Sequence, residues 1–291
     1  MTLPILAGLR NFADGYDGFI LDLWGVIHDG FTPYPGARQT LAKLKQSGKQ
    51  IVMLSNAPRR ATALIELMKG LGIGRDLYDD VITSGEAVFD EMVTRRDPWF
   101  AALGRRCLHV GTEPDKNLID GMNIDLVSSV EQAQFLVVTG PYKFDDQVAD
   151  SMPLLDRAAA CGLPMICANP DLVVISEGRP LVCAGALAAY YERIGGDVRY
   201  RGKPDPAIYD VCMTRLGIGD RSRVLAVGDA FATDVAGAQA AGLDSLFCSG
   251  GIHADELGTV YGQMPDLAKM ETAIAKRGNL RPTAAIGGFV W

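Results

Sequence analysis

Gly18-Phe19-Ile20-Leu21-Asp22-Leu23-Trp24-Gly25-Val26-Ile27 is the stretch on which the reading of this chain turns. An apolar run ends at one carboxylate, Asp22, and a glycine follows three residues later. A strand buried on both faces of a parallel sheet has this form, because such strands read as continuous hydrophobic runs. It would deliver a single acid to the carboxyl edge of the sheet. A carboxylate in that place points to a nucleophile and covalent catalysis.

Outward from this strand, the pattern strand, turn, helix repeats. Hydrophobic runs predict strands at Phe19–Leu21, Gln50–Leu54, Val81–Thr83, Cys107–Val110, Phe135–Val138, Met165–Cys167, Leu172–Ile175, Val224–Val227 and Ser245–Cys248. Helical stretches at Ala37–Gln46, Ala61–Leu71, Asp146–Ala160, Ala184–Ile194 and Pro206–Leu216 lie between them, and most end at or beside a glycine. This alternation predicts an α/β fold with a doubly wound parallel sheet covered by helices. Three groups of polar residues follow strands, at 22–30, 55–56 and 202–234. The stretch between the second and third has strands and helices of its own. The expected organisation is a discontinuous outer domain, residues 1–84 and 202–291, split by an inserted α/β module at 85–201. The segment Gly278–Trp291 reads as a packed or oligomer-contacting tail.

Composition narrows the function classes. The chain has 291 residues, 48% apolar and 22% charged, as expected of a globular protein with a sizeable core. A net charge of −7 with no basic run argues against a nucleic-acid surface. No apolar run approaches membrane-spanning length, and the N-terminus lacks the form of a signal peptide. The six cysteines form no Cys-x-x-Cys pair and read as reduced, packed thiols, which favours a cytoplasmic setting.

Four pieces can meet at one sheet edge, where ligands collect in open α/β sheets. They are Asp22, Ser55-Asn56, Lys203 and the run Gly228-Asp229-Ala230-Phe231-Ala232-Thr233-Asp234. Their chemistry suits phosphoryl transfer, which needs an in-line nucleophile and compensation of oxygen charge. Asp229 and Asp234 are hard oxygen donors for Mg²⁺. Lys203 adds a fixed positive charge, and the Ser55 hydroxyl with nearby amides can hold phosphoryl oxygens. Each piece also has a plainer reading: Asp234 and Thr233 as helix caps, Asn169-Pro170-Asp171 as a turn, His28 and Asp29 as a polar loop, His109 as a structural histidine and His253 as surface loop.

Taken in order, these motifs resemble the haloacid-dehalogenase (HAD) superfamily, and specifically its class IIA phosphatases. Asp22-x-x-Gly25-Val26, Ser55-Asn56, Gly202-Lys203-Pro204 and Gly228-Asp229-x-x-x-Thr233-Asp234 are similar to its four motifs. The insertion falls between the second and third, as in class IIA. Asn169-Pro170-Asp171 and Cys183-Ala184-Gly185-Ala186-Leu187 are similar to its cap signatures, and Ile27-His28-Asp29-Gly30 to the loop after its first strand. The resemblance covers residues 17 to 250. It implies a Rossmann-like core with an inserted α/β cap, and an aspartyl-phosphate formed on Asp22. It also implies Mg²⁺ held by Asp22, Asp229, Asp234 and the main-chain oxygen of Trp24. Ser55, Asn56 and Lys203 would bind the phosphoryl group, and Asn169 and Asp171 would face the substrate.

Trp24 departs from the family pattern. The family has a second aspartate there, which protonates the leaving group and then activates water. Such help is typically worth ~10²–10⁴-fold, and an indole N–H does not titrate. The expected function is Mg²⁺-dependent hydrolysis of a small phosphomonoester such as a sugar phosphate, a nucleotide or a pyridoxal-phosphate-like ester. No nucleic-acid or membrane partner is expected, and a homo-oligomer is left open. Two alternatives stand beside it: a dehalogenase-like hydrolase, in which an aromatic residue occupies the place of Trp24, and a phosphate-ester-binding protein with little turnover.

Overall fold

The structure, a computed structural model, describes residues 2–176 and 178–291. It divides into two compact units. One takes in the chain up to Ser55, Leu64–Ile82 and Lys203–Trp291; the other is Asn56–Ala63 with Thr83–Gly202. The breaks fall at 82/83 and 202/203, and residues 56–63 group with the second unit rather than with the outer domain expected from the sequence.

The sheet of the first unit has seven strands, in the order Ile5–Leu6, Ala284–Ile286, Asp244–Cys248, Val224–Gly228, Gly18–Leu21, Gln50–Ser55 and Asp80–Thr83. Pairing is parallel from Ile5–Leu6 through Gln50–Ser55. Gly18–Leu21 and Val224–Gly228 are buried at every position, which is why neither alternates with polar residues. Register positions the site. Leu21 pairs with Val227 on one side and Met53 on the other. Asp22 is therefore level with Gly228 and Leu54, so Asp22, Asp229 and Ser55 all leave the sheet at its carboxyl edge.

Helices Ala37–Gln46 and Pro206–Leu216 have the bounds expected from the sequence. The second shows why: Pro206 opens it, the Asp205 side chain accepts from the Ala207 N–H, and Gly217 closes it in a left-handed conformation. The segment read as a C-terminal tail is part of the sheet. Ala284–Ile286 lies between Asp244–Cys248 and Ile5–Leu6, and its short Ala-Ala-Ile run carries too little pattern to be read as a strand.

The second unit has a five-stranded sheet, in the order Val198–Tyr200, Met165–Cys167, Phe135–Val138, Arg106–Val110 and Asp125–Leu126. All its pairs are parallel. Successive residues alternate between two cores. Cys107, Phe135, Val137 and Ile166 pack with Val88 and Met92 of helix Ser84–Thr94. Leu108, Leu136, Val138 and Met165 pack with Leu155 and Leu187 of helices Val148–Ala160 and Ala184–Arg193. Both faces are covered, so period-two geometry leaves a continuous apolar sequence. The strand expected at Leu172–Ile175 is one arm of an antiparallel pair, Val173–Ser176 with Arg179–Val182. Arg179 and Pro180 hide the second arm. Helix Ser84–Thr94 escapes the hydrophobic pattern, but its start carries a cap: Thr83 Oγ1 accepts from the Glu86 N–H at 2.8 Å. Among the described residues no helix is long and apolar enough to cross a membrane, and all six cysteines are free thiols.

Candidate active site

Asp22 is fixed by the sheet. Its N–H donates to Val227 O at 2.9 Å, one pairing step past the strand. The chain then turns sharply, with Leu23 O accepting from the Ile27 N–H at 2.8 Å and the His28 N–H at 3.1 Å. Gly25 makes the turn with φ +83°, and a Cβ there would come within 1.9 Å of Asp229 Oδ2. Any side chain at this position would be driven into that carboxylate.

Asp229 follows strand Val224–Gly228, and its Oδ2 accepts from the Ile252 N–H at 2.7 Å. Asp234 sits in the single π-helical turn Phe231–Val235 and accepts from the Ala230 N–H at 3.0 Å. Lys203 binds two of the three acids, with Nζ 2.7 Å from Asp22 Oδ1 and 2.7 Å from Asp234 Oδ1. It is only 3% exposed. Burial first, and then the charges of Asp22 and Asp234, push the Asp229 carboxyl well above its usual range.

Carboxylate oxygens of Asp22, Asp229 and Asp234 lie within 4.8 Å of one another. Lys203 offsets one of their three charges when all are ionised, and two remain, the charge of one divalent cation. Buried charges persist when paired or bound to metal, and hard oxygen donors suit Mg²⁺. The residues present therefore fit a divalent ion.

The other expected residues divide between the units. Ser55 is buried at the end of Gln50–Ser55, on the same edge as Asp22. Asn56, Asn169 and Asp171 belong to the second unit. There Asn56 Nδ2 donates to Asp171 Oδ1 at 2.9 Å, and the Asp171 N–H donates to Asn169 Oδ1 at 3.1 Å, the bond of an Asn-Pro-Asp turn. His109 pairs through Nε2 with Thr139 Oγ1 at 2.9 Å, and burial lowers its pKa to about 4. It is held in the interior of the second unit. His253 and Glu256 are bonded at 3.1 Å and Arg277 binds Glu256 at 2.7 Å, beside Phe231.

Trp24 is half-buried and pairs with His28 as an isolated bridge. Two supports lay outside the sequence reading. The Ile252 amide on Asp229 comes from the loop after Asp244–Cys248, just past Gly250-Gly251. Tyr261 donates to Val26 O at 2.8 Å, accepts from the Phe289 N–H at 2.9 Å and stacks on Tyr34 at 4.0 Å. It ties the C-terminal segment to the loop after Asp22.

The fold recurs among known proteins. A haloacid dehalogenase-like hydrolase model matches residues 19–125, and a HAD-hydrolase-like model matches 200–269. A solved haloacid dehalogenase-like hydrolase from Brucella suis is 35% identical, with TM-score 0.82 over 97% of this chain and 99% of that one. A D-glycerol 3-phosphate phosphatase of Mycobacterium tuberculosis is 29% identical over 249 residues, 84% of this chain and 66% of that enzyme, just under two thirds of its length. The solved glycerol phosphate phosphatase of that organism, in complex with magnesium, is 26% identical with TM-score 0.63, over 89% of this chain and 77% of that one. The chain belongs to the haloacid dehalogenase-like hydrolases, in their class IIA phosphatase-like branch.

Proposed function

We propose that this hydrolase is a Mg²⁺-dependent phosphatase of small phosphomonoesters that works through an aspartyl-phosphate on Asp22. The observation that carries the reading is the buried set of Asp22, Asp229 and Asp234 around Lys203 at the sheet's carboxyl edge. Similarity to enzymes described as glycerol phosphate phosphatases supports the substrate class, and the magnesium in one of them supports the metal.

An Asp22 oxygen attacks phosphorus. Lys203, which already holds Asp22, fixes the angle of its carboxylate and offsets charge on the phosphoryl oxygens. Ser55, buried at the same sheet edge as Asp22, binds those oxygens. Asp22, Asp229, Asp234 and the Trp24 carbonyl would hold the metal. Bound Mg²⁺ supplies charge neutralisation and orientation of the phosphoryl oxygens. Free thiols and the absence of a basic run fit a cytoplasmic enzyme of small molecules.

Phosphate release from a panel of phosphomonoesters, with Mg²⁺ and with a chelator, tests the reading. Metal-dependent release is expected. Halide release from haloacids that survives the chelator would replace it with the dehalogenase reading. Trp24 favours one other reading, a phosphate-ester binder with little turnover; tight ester binding without product would establish that instead.

A further inference from the structure

The loop from Asp22 to Tyr34 follows the proposed nucleophile, and its titratable side chains beyond Asp22 are bonded within the loop, buried or stacked. Asp29 turns back on its own loop, accepting from the Phe31 N–H at 2.9 Å and the Thr32 N–H at 2.8 Å. His28 accepts from the Gly30 N–H at Nδ1, at 2.9 Å, which puts its own proton on Nε2. That nitrogen is buried without a hydrogen-bond partner, and the residue is 2% exposed. Tyr34 lies flat against Tyr261 at 4.0 Å. Trp24 meets the His28 ring edge-on at 5.8 Å. Gly30 has φ +98°, and a Cβ there would come within 2.3 Å of the indole Cη2. The indole is thus fixed against Gly30 and His28, and it carries no proton that titrates.

We infer that Trp24 selects substrates by their leaving group: the site accepts aryl, enol and acyl phosphates and handles alkyl phosphates poorly. The inference rests on the phosphatase reading and narrows it. In the first step an Asp22 oxygen bonds to phosphorus and the bond from phosphorus to the leaving oxygen breaks. The electron pair leaves with that oxygen. A phenolate, enolate or carboxylate departs as a stable anion and takes its proton later from solvent. An alkoxide is far more basic and needs the proton as the bond breaks, and Asp29, the loop's one acid beyond Asp22, is bonded into its own turn. In the second step water attacks phosphorus, Asp22 leaves as a carboxylate, inorganic phosphate forms and the water's proton passes to solvent. The loop offers no base for that step either, so phosphoryl-Asp22 builds up.

A leaving-group series on the unmodified protein tests this, with Mg²⁺ present. The probes are substituted phenyl phosphates, acetyl phosphate and glycerol phosphate, read as kcat/KM, which reports the first irreversible step. The expected result is a steady fall with rising leaving-group pKa, leaving the alkyl ester ~10²–10⁴-fold below the best aryl or acyl donor. Intact-mass measurement during turnover of acetyl phosphate should show one phosphoryl group on the protein, absent in Asp22→Asn. Trp24→Asp should close most of the gap, whereas Trp24→Phe should keep it. Brisk turnover with no dependence on leaving group would overturn the inference and leave the phosphatase reading standing. Neither phosphate release nor an adduct from any donor would overturn that reading itself.

Discussion

The carboxyl edge of the seven-stranded sheet gathers Asp22, Asp229 and Asp234 around Lys203, whereas the edge of the five-stranded sheet carries His109 bonded to Thr139 and an Asn-Pro-Asp turn closed on itself. The five-stranded sheet is parallel throughout and the seven-stranded one from Ile5–Leu6 through Gln50–Ser55, and both bury their central strands. The difference lies in the side chains that each edge carries. Burying charge costs stability unless it is fully paired, so the first edge retains a charged cluster that a divalent cation would complete. The second edge bonds Asn56 to Asp171 and Asp171 to Asn169, and it buries an uncharged histidine in place of a charged cluster. A shared architecture thus supplies two edges, and side chains alone gather a charged cluster at one of them.

The sharpest way to break this comparison is to remove the nucleophile. Asp22→Asn should lower kcat by about 10⁴–10⁶-fold while leaving the far-ultraviolet circular dichroism unchanged. Residual activity within tenfold of the parent would take the chemistry away from this edge.

Stability should then separate the two units. Lys203→Met strands Asp22 and Asp234 without their cation and should cost ~3–5 kcal/mol in denaturant unfolding. Phe135→Ala in the second sheet, where the ring is fully buried, should cost a similar ~3–5 kcal/mol through a cavity. Magnesium should restore part of the first loss and none of the second. Equal rescue of both would mean that the ion does not act at the charged edge.

A pH titration probes the second edge. The folded pKa of His109 is lowered from 6.5 to about 4, by burial first, with Lys116 adding to it and Asp115 and Glu113 opposing. The unfolded chain takes up the proton first, so the His109 contribution is fully present above pH ~6.5 and is lost as pH falls toward ~4. The loss amounts to ~3 kcal/mol. His109→Gln should flatten that part of the stability curve, and an unchanged slope would show that this histidine does not govern it. The smallest effect is ligand linkage. Magnesium at about 100 times its Kd should add ~2.7 kcal/mol, and Asp229→Asn should remove most of that gain in a thermal-shift measurement.

Much of this was legible in the residues. Strands buried on both faces, such as Phe135–Val138, announce themselves because every position is apolar, and helix Pro206–Leu216 because proline opens it and glycine closes it. Short strands with small or mixed side chains, Ala284–Ile286 and Arg179–Val182, were not legible, since their pairing comes from neighbours distant in sequence. The same holds at the site. Asp22, Lys203, Asp229 and Asp234 could be named from type and spacing. The Ile252 amide on Asp229 and the Tyr261 tie to Val26 could not, because a backbone donor or a single tyrosine leaves no pattern.

By itself the sequence determined which residues could do chemistry and that they stand at strand ends, because burial periodicity and side-chain type are local properties. Tertiary structure alone decided that three of the acids share one cluster with Lys203, since that follows from the register of Leu21 against Val227 and Met53. It also decided what becomes of the loop after Asp22. Gly30 and His28 fix the indole of Trp24 through close packing, and packing of that kind is set by the folded chain rather than by spacing along it.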